Sequence, residues 1–68
     1  MKGYLDYWNQ NRAFGFIKDD AGQSYFVHKT SFSDGAAPAA GMLVEFEEGR
    51  TAKGPVALNV QIVRGGGK

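Results

Sequence analysis

Two runs decide how this chain folds: Ala13-Phe14-Gly15-Phe16-Ile17-Lys18 and Ser24-Tyr25-Phe26-Val27-His28-Lys29, joined by a turn at Asp19-Asp20-Ala21-Gly22. Each run alternates with period 2, and a short Gly/Asp-rich turn between two such runs specifies a β-hairpin. Residues i and i+2 of a strand share a face. Phe14 and Phe16 therefore point one way, and Gly15 and Ile17 the other. Phe26 and His28 likewise share a face, with Tyr25 and Val27 opposite. Because the runs are neighbours in one hairpin, four flat rings gather on one surface, while Ile17 and Val27 are left for the core.

Further strand-like runs flank this hairpin. Lys2 to Trp8 is rich in aromatic and apolar residues and ends at the turn signal Asn9-Gln10-Asn11. Met42 to Glu47 places Val44 and Phe46 on one face, with Glu45 and Glu47 on the other. Val56, Leu58, Val60 and Ile62 alternate with Ala57, Asn59, Gln61 and Val63, the pattern of a half-buried strand. Residues 30–41 hold Ser, Gly, Ala and Pro38 and read as a loop with room for a single helical turn. Glu48 to Pro55, with Gly49 and Gly54-Pro55, reads as a second loop. The chain is expected to form one domain over residues 1–64, followed by a flexible Gly-rich tail over 65–68.

Five short strands with no helical period predict an all-β fold, a small antiparallel barrel whose closure removes exposed edges. The five-stranded OB-fold and an SH3-like barrel both satisfy that count.

Composition narrows the function. The 68 residues suffice for one small domain with little room for a deep enzyme pocket. The absence of cysteine excludes a disulfide framework and thiolate zinc sites. No apolar run reaches the ~18–20 residues of a membrane span, so a soluble, cytoplasmic protein without membrane contact is expected. His28 is the one histidine and has no evident partners for metal binding or proton transfer. The carboxylates of Asp19-Asp20 and of Glu45, Glu47 and Glu48 read as solvated surface. No nucleophile triad, phosphate loop or cofactor motif is present, so neither an enzyme nor a cofactor is expected. Net charge is only +1, with 8 Lys and Arg against 7 Asp and Glu, so charge alone does not announce a nucleic-acid partner.

The aromatic residues, 13% of the chain, carry the functional signal. Phenylalanines are usually core residues. Here the opposite faces already offer the small and branched side chains that suit a barrel interior, and no helix is available to cover a second apolar face. An exposed cluster of this size marks a binding site. A nucleobase is its natural ligand, since every base has a π-face and stacking contributes about 1–3 kcal/mol per base. The alternative is a small barrel that binds a peptide, or a cation, on the same surface.

Lys2-Gly3, Trp8-Asn9, Arg12-Ala13-Phe14-Gly15-Phe16-Ile17, Phe26-Val27-His28 and Gly54-Pro55 with Asn59-Val60 resemble the bacterial cold shock proteins and related cold shock domains, from Lys2 to about Val63. The run from Arg12 also partly matches the ribonucleoprotein motif of RNA-recognition domains. In those domains the order of the two aromatic motifs is reversed and two helices are present.

The cold shock resemblance implies an OB-fold that binds single-stranded RNA or DNA, often pyrimidine-rich, as an RNA chaperone or a regulator of transcription or translation. Nothing in the chain asks for a dimer, so a monomer is expected. Carried over position by position, the resemblance implies base stacking by Tyr7, Trp8, Phe14, Phe16, Phe26 and His28. It implies phosphate or polar contacts from Lys2, Asn9, Arg12, Lys18, Lys29 and Gln61.

The chain departs from the family pattern in several places. Tyr7-Trp8 stands for Trp-Phe, Asp6 for a lysine, Ala13 for a glycine, and Lys29 for a phenylalanine. Ala36, Ala37 and Pro38 occupy a shortened loop that usually holds another exposed ring. Phe32 is a candidate to replace that ring in part, although its place just after Thr30-Ser31 suggests that it is buried.

Overall fold

The computed structural model describes residues 1–33 and 38–63. Five strands form in chain order: β1 (Lys2–Asn9), β2 (Phe14–Asp19), β3 (Ser24–His28), β4 (Leu43–Thr51) and β5 (Gly54–Ile62). They close into a barrel in the order β1-β2-β3-β5-β4, the five-stranded OB-type arrangement. Every seam is antiparallel except the closing one, where β3 meets β5 in parallel at Phe26 and Val56. One 3₁₀ turn, Lys29–Ser31, follows β3. Among the described residues no helix is long and apolar enough to cross a membrane. The expected tail, residues 65–68, and the alanines Ala36 and Ala37 lie outside the described residues.

The interior holds Leu5, Ile17, Tyr25, Val27, Phe32, Val44, Phe46, Ala57 and Val60. The alternation of β2 and β3 gives the expected faces: Gly15, Ile17, Tyr25 and Val27 point inward, and their neighbours point outward. Gly15 is required by close approach, because a Cβ there would run into the Tyr7 carbonyl and the Trp8 ring. Phe32 is buried, as its position suggested, and bridges to Val60.

Two β-bulges depart from the simple alternation. In β1, Leu5 faces Ile17 but Tyr7 faces Phe16, so Asp6 is an extra residue in that strand. Leu5 therefore points inward while Tyr7 points outward, which strict period 2 would forbid. In β5, Leu58 faces Glu47 and Gln61 faces Glu45, so Asn59 and Val60 together oppose Phe46. Asn59 takes the extra position with φ 50°, a left-handed conformation that asparagine tolerates. Ala57 and Val60 are thereby the buried residues of β5, and Leu58 is exposed. The expected single face of Val56, Leu58, Val60 and Ile62 is corrected accordingly.

The expected loop over Glu48–Pro55 is also corrected, because β4 and β5 continue to Thr51 and Gly54 and leave only Ala52-Lys53 as the turn. Gly49 sits within β4 under the side chains of Leu58 and Val56, which cover its missing side chain. Gly54 adopts φ 122°, a value open to glycine, and sets the exit from the turn. Pro55 is tolerated because it stands at the start of its strand, where a missing N–H costs little.

Candidate nucleic-acid interface

The outward residues of the first three strands assemble one surface. Across the β1–β2 ladder Tyr7 lies opposite Phe16 and Asn9 opposite Phe14, and across the β2–β3 ladder Phe16 lies opposite Phe26 and Phe14 opposite His28. The Asp6 bulge is what delivers Tyr7 to this surface. Phe14 and Phe26 are stacked, with centroids 5.7 Å apart and planes at 29°. Phe16 meets Phe26 edge-on at 5.9 Å, and Phe14 edge-on at 6.3 Å. Tyr7 lies 6.3 Å from both Phe14 and Phe16. Phe16 and Phe26 remain 37% and 39% exposed and Tyr7 45%, while the core beneath them is already closed. These rings are therefore not needed to fill the interior, and their apolar faces are open to a flat ligand.

His28 is held at the end of this surface by its own local structure. It caps the 3₁₀ turn, and its Nδ1 accepts the Thr30 backbone N–H at 3.2 Å and lies 3.1 Å from Thr30 Oγ1. A nitrogen that accepts a backbone N–H carries no proton of its own. The neutral ring therefore holds its proton on Nε2, a donor free to meet a ligand.

Trp8, the other ring expected to stack, is placed elsewhere. It lies opposite Gly15, points inward, and packs edge-on against Phe32 at 5.6 Å, partly buried against the core. Its free edge shares a small cleft with Gln10, Ala13, Lys29 and Pro38, beside the platform and not within it.

The polar candidates divide in two. Arg12, Lys18 and Lys29 flank the rings and make no ion pair among the described residues. Lys2 instead lies 4.0 Å from Glu45 of β4, an exposed pair worth little in stability. Gln61 sits on the β4–β5 side of the barrel in a cleft with Glu45, Glu47 and Asn59, away from the rings. Asn9 is occupied within the turn, its Oδ1 accepting the Arg12 N–H at 3.1 Å.

The sequence reading missed Lys53. Together with Pro55 and Val56 it walls a mostly apolar cleft of about 650 Å³ against Phe16 and Phe26. Once Ala52-Lys53 is recognised as a hairpin turn, Lys53 falls beside the rings, but the glycines on either side had read as a loop.

Charge is sorted despite the +1 total. Lys18, Lys29 and Lys53 lie at the borders of the aromatic surface, and Arg12 lies in the turn that leads into β2. Glu45, Glu47 and Glu48 project from β4 on the far side, where Glu48 pairs with Arg50 at 3.8 Å and Glu47 accepts from Asn59. The small net charge thus conceals an excess of cations beside the aromatic centre, although Asp6 stands at the bulge next to Tyr7. Among the described residues no group of His, Cys, Asp or Glu could hold a metal ion.

Below this surface, Asp19 and Tyr25 stabilise the turn that joins β2 to β3. Asp19 Oδ1 accepts the N–H groups of Ala21 and Gln23, both at 2.9 Å, and Oδ2 accepts the Tyr25 hydroxyl at 2.8 Å. The Tyr25 hydrogen bond is the main cause that holds the Asp19 carboxyl below its ordinary value, with the turn N–H groups adding to it. Burial, then the bond to Asp19, pushes the Tyr25 phenol up to about 12.

Comparison with known proteins agrees with this geometry. The Escherichia coli K12 cold shock-like protein CspE is 38% identical over 63 residues, covering 88% of this chain and 91% of the relative. The CspE of Buchnera aphidicola (subsp. Acyrthosiphon pisum) is equally similar, 38% over the same shares. The E. coli K12 cold shock-like protein CspC is 35% identical over 66 residues, 93% of this chain and 96% of the relative. Residues 1–63 match the family described as the "Cold-shock" DNA-binding domain. With its closed five-stranded barrel and exposed aromatic face, this chain belongs to the cold-shock DNA-binding domain family of non-enzymatic nucleic-acid binders.

Proposed function

We propose that the chain binds single-stranded RNA or DNA by stacking successive bases on Tyr7, Phe14, Phe16, Phe26 and His28. The observation that carries this reading is the exposed ring cluster lying over a core that is complete without it. Single strands are favoured because base π-faces are available only when bases are neither paired nor stacked in a duplex. Arg12, Lys18, Lys29 and Lys53 meet the phosphates, and the Nε2–H of His28 donates to a base carbonyl or phosphate oxygen. Trp8 and Lys29 meet the strand where it leaves His28. Lys2 and Gln61, held on the acidic side, contribute little.

Flat, lightly hydrogen-bonding subsites suit pyrimidine-rich strands. Weak stacking over a short footprint suits an RNA chaperone or a regulator of transcription or translation, acting as a cytoplasmic monomer.

Fluorescence anisotropy of a labelled oligopyrimidine, compared with its matching duplex, tests the reading. Saturable binding of the single strand and far weaker binding of the duplex is the expected result. Equal binding of both forms overturns the stacking reading, and binding of neither leaves the peptide-binding alternative.

A further inference from the structure

We propose that Tyr4 is an additional base-stacking position that extends the bound single strand beyond Phe16 towards Lys18. The inference rests on the platform reading above and adds a subsite to it. Tyr4 points outward and is 40% exposed, as open as Phe16 and Phe26. Its place follows from the register. The outward residues of β2, namely Phe14, Phe16 and Lys18, face Asn9, Tyr7 and Tyr4 in turn. The step from the Phe16–Tyr7 rung to the Lys18–Tyr4 rung is two residues of β2, about 7 Å. Tyr4 stands on the same outer face one rung further along, apart from the ring contacts of 5.7 to 6.3 Å that join the cluster.

The surroundings of Tyr4 are those of a nucleotide subsite. Lys18, directly opposite, makes no ion pair among the described residues and supplies a phosphate contact. On its other flank Tyr4 faces Leu43, 56% exposed, across the β1–β4 ladder. A cleft of about 310 Å³ opens there, walled by Tyr4, Leu43 and Val63 with Lys2 and Asp20 at its rim.

Two carboxylates constrain the path. Asp6 projects at the bulge between Tyr4 and Tyr7, and Asp20 lies at the cleft. The phosphates must therefore run along the Lys18 side, with the bases turned inward onto the rings. A base is the fitting occupant because the Tyr4 ring stands on the platform's own face, one rung beyond Phe16 and Tyr7, with the Lys18 cation opposite it. At the opposite end Lys29 follows His28 where a further ring could have stood. The footprint is thereby extended towards the start of β1.

The test is a length series of labelled oligothymidylates, from about four to about eight nucleotides, bound to the wild-type chain, Tyr4→Thr and Tyr4→Phe. Threonine keeps the strand preference of the position and removes the ring. Wild type and Tyr4→Phe should gain affinity on lengthening. Tyr4→Thr should match them on the shortest strands and fall about 5- to 140-fold behind on the longest, the fold-change equivalent of one lost stack. The Tyr4 ring proton resonances should move only with the longer strands. A Tyr4→Thr chain that follows wild type at every length, or loses affinity equally at every length, overturns the assignment. A wild-type chain that binds no oligothymidylate at all overturns the platform reading itself, an outcome distinct from the failure of Tyr4.

Discussion

Ala13 stands in the left-handed region at φ 60°, at the point where the β1–β2 turn enters β2. Replacing it with glycine should stabilise the domain. An L-residue in this conformation costs about 1–2 kcal/mol through the approach of its Cβ to the carbonyl. Glycine removes that cost but loses about 0.5–1 kcal/mol more backbone freedom on folding. The midpoints of the two ranges differ by a gain of about 0.75 kcal/mol. For a domain of this size that is a rise in Tm of roughly 3–6 °C. Both hydrogen bonds of Ala13 belong to its backbone, N–H to the Asn9 carbonyl at 2.8 Å and carbonyl from the Lys29 N–H at 2.9 Å, so the substitution keeps them. Ala13 lines the cleft of Trp8 and Lys29 beside the platform, so the change in binding should be small. Thermal and urea unfolding followed by circular dichroism measure the effect, and the urea slope should stay constant while the midpoint rises. An unchanged or lowered midpoint would refute the claim that residue 13 is strained.

Phe26→Ala should weaken oligopyrimidine binding by about 1–3 kcal/mol with only a small change in Tm, because the ring is exposed; global unfolding of the variant would show that it belongs to the core. The four proposed phosphate contacts, Arg12, Lys18, Lys29 and Lys53, which make no ion pair among the described residues, predict that log affinity falls with log salt at a slope no steeper than about −3, near 0.7 per phosphate on a single strand. Lys53→Ala should flatten that slope by about 0.7, and an unaltered slope would remove Lys53 from the interface. The Asp19–Tyr25 bond predicts stability that depends on pH at both extremes. Asp19 is depressed in the folded state, so its contribution is present above its ordinary value of 3.8 and lost as pH falls through the lower folded value. Tyr25 is raised, so its contribution is complete below 10 and lost as pH rises towards about 12. Urea midpoints across pH should show both losses in the wild-type chain and a weaker dependence in Tyr25→Phe; identical profiles would contradict the coupling.

The central hairpin was legible because both its runs keep strict period 2. Spacing put Ile17 and Val27 on one face and Phe14, Phe16, Phe26 and His28 on the other, and the small and branched residues of the first face marked it as the core side. What escaped the sequence is what strand pairing decides. A bulge at Asp6 or Asn59 changes the partner register by one residue, and a single strand contains no record of how its neighbour is aligned. Trp8 shares an aromatic segment with Tyr7, but adjacent strand residues cannot serve one face, and the bulge sends Tyr7 outward and Trp8 inward. Gly49 and Gly54-Pro55 carry the composition of a loop. In the fold Gly49 is covered by Leu58 and Val56, and Gly54 and Pro55 start a strand. The clustering of Arg12, Lys18, Lys29 and Lys53 also depends on closure of the barrel, which no charge sum expresses.

The central claim is that bases stack on the outer rings while the core stays as it is. Its most direct test is an NMR titration of the aromatic resonances with a single-stranded oligopyrimidine. Ring currents from stacked bases should shift the signals of Tyr7, Phe14, Phe16, Phe26 and His28 together, and leave those of the buried Tyr25, Phe32 and Phe46 in place. Shifts centred on the acidic β4 face, or on the buried rings with the outer ones unmoved, would contradict the account.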